Sequence, residues 1–243
     1  MKPFLLLASR PEDVAAREER EGFLRAGGLS DAQLHTIRME SEPLPPIKLD
    51  EYSGVILGGG PFNASDAEAE KPTVQLRFEA ELVPLLDEIV NRDFPFFGAC
   101  FGIGILGGFL GGTIDRQYGE EPGAVEVRLT DAGQKDALFS QLPARFDGLV
   151  GHKEACSILP PQAVLLATSD ACPVQAFRVR ENLYVTQFHP ELDVDGVISR
   201  VMVYRDAGYF PPEDFDRIVA NLRASNPIEP ARLMRAFVER YKR

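Results

Sequence analysis

Three short segments carry residue types that can do chemistry together. Residues 94–112 read FPFFGACFGIGILGGFLGG, an apolar run that enters Gly98–Ala99–Cys100–Phe101–Gly102 and continues as a helix-like stretch. This is the small-x-nucleophile-x-small pattern of a sharp strand-to-helix turn. Such a turn places a thiol at a helix N-terminus, where unpaired N–H groups and the helix dipole favour the thiolate. The amide of Phe101, directly after the thiol, is positioned to donate to an oxyanion. A small buried cysteine on a core strand has the same composition, so the thiol must be matched with partners. Gln187–Phe188–His189–Pro190–Glu191 supplies them at the end of another apolar run. A thiol nucleophile needs a base and the base needs an orienting group, roles open to His189 and Glu191. The third segment, Gly58–Gly59–Gly60–Pro61, follows the apolar run ending at Leu57. Glycine lets backbone amides face a site with no Cβ in the way, although a plain turn uses the same residues. No Gly-Lys-Ser/Thr follows, which excludes a phosphate-binding P-loop.

The segment after the cysteine also reads Gly102-x-Gly104-x-x-Gly107, the spacing of a dinucleotide-binding turn. That alternative wants an acidic residue at the end of the next strand. Glu126 stands at a suitable distance but inside a strand-like run, so thiol chemistry is preferred over NAD binding.

Strands must deliver these segments. Pro3–Ser9, Gln33–Met39, Tyr52–Leu57 and Phe94–Phe97 read as strands, with helices over Glu12–Ala26, Thr73–Asn91 and Gly102–Leu110. Gly27–Gly28 stops the first helix, and Pro84 marks a kink position in the second. Further strands are expected at Val125–Leu129, Phe146–Val150, Ala163–Ser169, Val174–Val179 and Leu183–Phe188. Helices follow over Val197–Asp206, Pro212–Ala224 and Pro230–Tyr241. Alternating strands and helices predict an α/β fold, a mainly parallel mixed central sheet with helices on both faces. The run 163–188 adds antiparallel strands. Residues 1–192 form one domain, and 193–243 form a helical extension packed on it. Tyr204, Tyr209 and Phe210, followed by Pro211 and Pro212, either pack on the sheet edge or form a homodimer contact; core packing is preferred.

Composition removes several classes. The net charge is −11, with no strongly basic stretch, which argues against nucleic acid and anionic membrane as partners. Arg232, Arg235, Arg240, Lys242 and Arg243 read as a solvated helix face. No apolar run approaches the ~20 residues that cross a bilayer, and FLLLAS near the start reads as a strand rather than a signal peptide. Three cysteines fit a reducing compartment, and a cytoplasmic location is expected. Cys156 and Cys172 lack metal spacing and read as buried structural thiols. His35, His152 and His189 are scattered, so no metal and no cofactor is expected.

Together, the strand with GGGP at 55–61, GACFG at 98–102 and QFHPE at 187–191 resemble the class I glutamine amidotransferases, in particular standalone chains that look like the amidotransferase domain of GMP synthase. The resemblance covers residues 1–192 and implies that family's flavodoxin-like three-layer sandwich. By it, Cys100 attacks the side-chain amide of glutamine, His189 relays the proton, Glu191 orients His189, and the amides of Gly60 and Phe101 form the oxyanion hole. It also implies a glutamyl thioester, release of ammonia, and a synthetase partner that receives the ammonia. Substrate contacts would come from Gly59, Gly104, His152 and Lys153. Two positions depart from the family pattern. Gly104 stands where most members carry a substrate-binding Gln, and Lys153 replaces the small residue of a His-Gly-Asp type loop at Val150–Glu154. Lys153 either binds a carboxylate or points to water, with water preferred. Both changes touch recognition, which leaves a γ-glutamyl amide or another small amide as the alternative substrate, and a non-catalytic binding protein as the alternative to an enzyme.

Overall fold

The computed structural model describes residues 1–225 and 227–243. Strand β1 (Phe4–Ala8) is buried throughout and alternates strictly. Leu5 and Leu7 enter one apolar core and Phe4 and Leu6 the other. A strand covered on both faces reads as a continuous apolar run for this reason.

Parallel strands run in the order β2 (Leu34–Arg38), β1, β3 (Val55–Leu57), β4 (Phe96–Ala99) and β11 (Leu183–Thr186). The sheet then continues antiparallel through β10 (Ala176–Val179), β9 (Ala163–Thr168), β6 (Glu120–Leu129) and β7 (Arg145–His152). It is therefore a mixed sheet, parallel on the side that carries the chemistry. A separate ribbon pairs β5 (Thr113–Asp115) with β8 (Ala155–Ile158).

Helices α2 (Thr73–Arg92) and α3 (Phe101–Phe109) cover one face through Phe78, Leu82, Phe101 and Leu106. Helices α1 (Asp13–Gly27) and α7 (Pro230–Tyr241) cover the other, with Phe237 packed 5.5 Å from Phe97 and 5.9 Å from Phe4 between ring centroids. Helix α1 stops at Gly28 in a left-handed conformation, as the glycine pair indicates. Helix α2 continues through Pro84. A short α4 (Asp131–Lys135) follows β6, and α5 (Val194–Val203) with α6 (Phe215–Ala224) forms a third cluster against Leu149 of β7. Among the described residues, no helix is long and apolar enough to cross a membrane.

Candidate active site

Adjacent parallel strands end at one edge and bring the three segments together. Leu57 pairs with Gly98, and Ala99 pairs with Thr186. The glycine loop, Cys100 and the His189 segment therefore leave the sheet side by side, at the carboxyl ends where open α/β sheets build their sites. The Cys100 N–H donates to Thr186 O at 2.8 Å, and the His189 N–H donates to Leu149 O at 2.8 Å. Both segments are thus fixed by backbone bonds before any side chain interacts.

Cys100 precedes the first residue of α3 and has φ 50°, ψ −95°. This is a strained backbone for a residue with a Cβ, and surrounding structure must hold it there. Glycines make the turn pack: a Cβ on Gly98 would lie 3.0 Å from the Gly102 carbonyl, and one on Gly102 would lie 3.0 Å from Leu57 O. The thiol is partly exposed, while His189 and Glu191 are buried. His189 Nδ1 lies 2.7 Å from Glu191 Oε1, and Cys100 lines the same recess as the ring, close enough to act on its charge. Burial alone would lower the His189 imidazolium, but the Glu191 carboxylate and Cys100 outweigh it and raise its pKa to about 10. Burial opposes ionisation of Glu191, and the facing His189 overrides it and draws the carboxyl below its ordinary range. A thiol, an imidazole and a carboxylate in this order can perform nucleophilic acyl transfer.

The amides expected at the oxyanion position lie beside the thiol. Phe101 opens α3, where N–H groups have no partner within the helix. Gly60 shares both recesses that flank Cys100. The first recess contains His189, Arg10, Leu192, Tyr204, Tyr209 and Phe210. The second contains Phe101, Gly104, His152, Lys153, Glu154 and Gln187.

The other expected contact residues have defined surroundings. Gly59 is wedged in the site: a Cβ there would lie 2.8 Å from His189 Cε1 and 2.7 Å from Arg10 Nη2. At Gly104, a Cβ would lie 2.9 Å from Glu154 Oε1. Glu154 therefore occupies the space a longer side chain at 104 would need, and its carboxylate accepts the N–H groups of Ala64 and Ser65 at 2.8 and 2.7 Å. The ring nitrogens of His152 are both engaged, Nδ1 with Glu154 O at 2.9 Å and Nε2 with Glu120 at 2.8 Å. Lys153 does not simply point to water. It donates to Ala207 O at 3.3 Å and sits 4.8 Å above the Tyr209 ring. Burial and nearby Arg116 lower its pKa. Tyr204 and Phe210 are buried, and the segment between α5 and α6 walls the recess beside His189.

Three residues that the motifs did not single out also reach the site. Ser9 and Arg10 leave the end of β1, and Glu19 projects from α1. Arg10 Nε donates to Glu19 Oε1 at 2.8 Å, and burial of Arg10 is outweighed by this carboxylate, which keeps the guanidinium charged. The signal was a carboxylate on the buried stripe Ala15, Ala16, Glu19, Phe23 of an otherwise charged helix.

Elsewhere, Glu120, His152 and Cys172 place their ligand-capable atoms within 4.8 Å of one another. Their polar groups are engaged internally: Glu120 also accepts from Gln175 at 2.7 Å, and burial pushes the Cys172 thiol up to about 12. Cys156 is likewise buried, its thiol raised to about 11 by burial first and Asp115 second. The glycines of the dinucleotide-like spacing lie inside α3 and are buried from Gly102 through Gly107, with Gly107 against Ile114.

Residues 21–195 match the family described as glutamine amidotransferase class-I. The chain belongs to that family. Its relatives include the glutamine-hydrolyzing GMP synthase of Borreliella burgdorferi, 32% identical over 150 residues, which are 62% of this chain and 26% of that protein. They also include a glutamine-hydrolyzing GMP synthase subunit of Pyrococcus furiosus, 31% identical over 151 residues, 62% of this chain and 72% of that protein. The aligned stretch spans about a quarter of the Borreliella relative's length. The amidotransferase fold extends across the chain. A glutamine amidotransferase from Thermotoga maritima superposes with TM-score 0.77 at 24% identity, covering 99% of this chain and 98% of the other. One from Methylobacillus flagellatus gives 0.73 at 21% identity, covering 100% and 96%.

Proposed function

We propose that this amidotransferase hydrolyses the side-chain amide of glutamine at Cys100. The observation that carries this reading is the strained thiol at the mouth of α3, sharing a recess with a buried, hydrogen-bonded His189–Glu191 pair. The thiolate adds to the amide carbon, and the carbonyl oxygen becomes an oxyanion held by the amides of Gly60 and Phe101. His189 gives its proton to the nitrogen, the C–N bond breaks, and ammonia leaves a γ-glutamyl thioester. Water, deprotonated by His189, cleaves the thioester to glutamate and restores the thiol. Glu191 keeps the imidazole aimed and stabilises its cation.

Because His189 protonates the leaving nitrogen, ammonia departs on its side, and the recess of Gly104, His152, Lys153 and Glu154 takes the glutamyl part. In this reading Gly59 provides close backbone approach, His152 holds its loop, and Lys153 faces the substrate from the rim. The Pyrococcus relative is named as one subunit of its synthase, which supports a separate synthetase polypeptide as the recipient of ammonia. Covalent capture of Cys100 by an electrophilic glutamine analogue, blocked by glutamine, tests the proposal.

A further inference from the structure

The Gly58–Gly59–Gly60 run has no side chains to hold it, and glycine backbone is the most easily reoriented. An oxyanion donor gains its effect from being aimed beforehand. Two side chains, Ser9 just after β1 and Glu19 on α1, perform that fixing. Ser9 Oγ donates to Gly59 O at 3.1 Å, and Glu19 Oε1 accepts the Gly59 N–H at 3.1 Å. The Gly59 carbonyl and the Gly60 N–H belong to one planar trans peptide and point in opposite directions. Holding the carbonyl toward Ser9 therefore turns the Gly60 N–H away from Ser9, and Gly60 lines both recesses shared with Cys100. The Glu19 contact fixes the preceding peptide plane in the same way.

Resting on the proposed glutamine chemistry, we infer that Ser9 and Glu19 are positioning residues that aim the Gly60 amide at the oxyanion, with Arg10 holding Glu19 in place. Glu19 is fully buried, where an isolated carboxylate is strongly disfavoured. Arg10 faces it at 2.8 Å and offsets part of this penalty, although burial still holds the carboxyl above its ordinary range, and Oε2 has no protein partner among the described residues. An apolar side chain on the same helix stripe would serve packing without that penalty. Glu19 is matched to the loop instead: a Cβ on Gly58 would lie 2.7 Å from its Oε2. Neither Ser9 nor Glu19 touches substrate in this scheme, and both act through the Gly59 peptide.

Two reactions of the same thiol separate aiming from general integrity. Glutamine hydrolysis passes through a tetrahedral oxyanion, whereas carboxamidomethylation of Cys100 by iodoacetamide is a direct displacement with none. The full chain is compared with Ser9→Ala, Glu19→Ala and Glu19→Gln in both assays. For Ser9→Ala and Glu19→Ala, kcat for glutamine is expected to fall roughly ten- to a hundredfold, short of the ~10²–10³ for complete loss of a donor. KM and the alkylation rate should stay within about threefold. Glu19→Gln retains an acceptor oxygen for the Gly59 N–H and should recover most of the loss. Ser9→Ala removes one hydroxyl and keeps the test alive if Glu19→Ala fails to fold. Parallel losses of hydrolysis and alkylation, or no loss of hydrolysis, would overturn the inference alone. A folded wild type that shows no glutamine turnover would overturn the proposed function, and this inference with it.

Discussion

In the proposed reaction, His189 is the residue on which the chemistry turns. Burial opposes its charge, yet Glu191 and Cys100 hold its pKa near about 10. The imidazolium therefore persists well above the ordinary ~6.5 of histidine. The kcat/KM for glutamine is expected to have its alkaline limb near about 10. Glu191→Gln removes the main stabilising charge and should move that limb down by at least about one unit. A pH–rate profile of both forms checks this, and an unmoved limb in the variant would count against Glu191 as the orienting group. The same shift bears on stability. A raised imidazole contributes stability that is fully present below its unfolded value and lost as pH rises through the folded one, here the span between about 6.5 and about 10. Cys100, His189 and Glu191 were legible in the sequence because their motifs are local. Glu19 was not, because a charged residue on a buried helix stripe looks like any surface charge until the helix is docked, and Ser9 and Arg10 follow β1 in a connection that carries no motif. Glu154 was seen only as part of a loop; that it fills the space beside Gly104 is a fact of packing between elements.

Among the elements, α1 does more than cover the sheet. A Cβ on its Gly22 would lie 2.6 Å from the backbone oxygen of Glu191, so the helix rests directly on the His189–Glu191 segment. Helix propensity alone favours Ala over Gly by about 1 kcal/mol. Overpacking against backbone costs about 1–3 kcal/mol, and at this distance the steric effect should win. Gly22→Ala is expected to lower the urea midpoint and glutamine turnover together; a stabilised, fully active variant would show that the contact yields easily. Most element types were legible from apolar runs and glycine stops. The first part of β6 was not: it begins at Glu120, and Glu120–Ala124 is polar, contains Pro122 and Gly123, and carries a register shift. The apolar runs before His189 and Cys100 were placed slightly differently, since β11 ends at Thr186 and β4 continues to Ala99. The three-residue β5 and four-residue β8 pair mainly with each other and were too short to give a pattern.

Across the whole molecule, the chain returns at its end to complete the core. Leu233, Met234, Phe237 and Val238 of α7 are buried against β1 and β4 neighbours, and the Arg243 N–H donates to Ser53 Oγ. We propose that residues 193–243 fold as one unit with residues 1–192. Phe237→Ala should then cost about 3–5 kcal/mol, a large share of a typical total of about 5–15 kcal/mol. Urea denaturation should show one transition moved to lower concentration; a midpoint unchanged from wild type would mean that α7 is not integral to the core. The layered architecture was readable from alternation of strands and helices, whereas the return of α7 to β1 has no local signature in the sequence.

In the proposed reaction, Cys100 is an activated thiol in a recess that accepts glutamine. Intact-mass analysis after treatment with an electrophilic glutamine analogue, followed by peptide mapping of wild type and Cys100→Ala, tests it most directly. A single adduct on Cys100, suppressed by excess glutamine and absent from the variant, is the expected result. Labelling of Cys100 by iodoacetamide but not by the analogue, or an adduct that glutamine does not suppress, would contradict it.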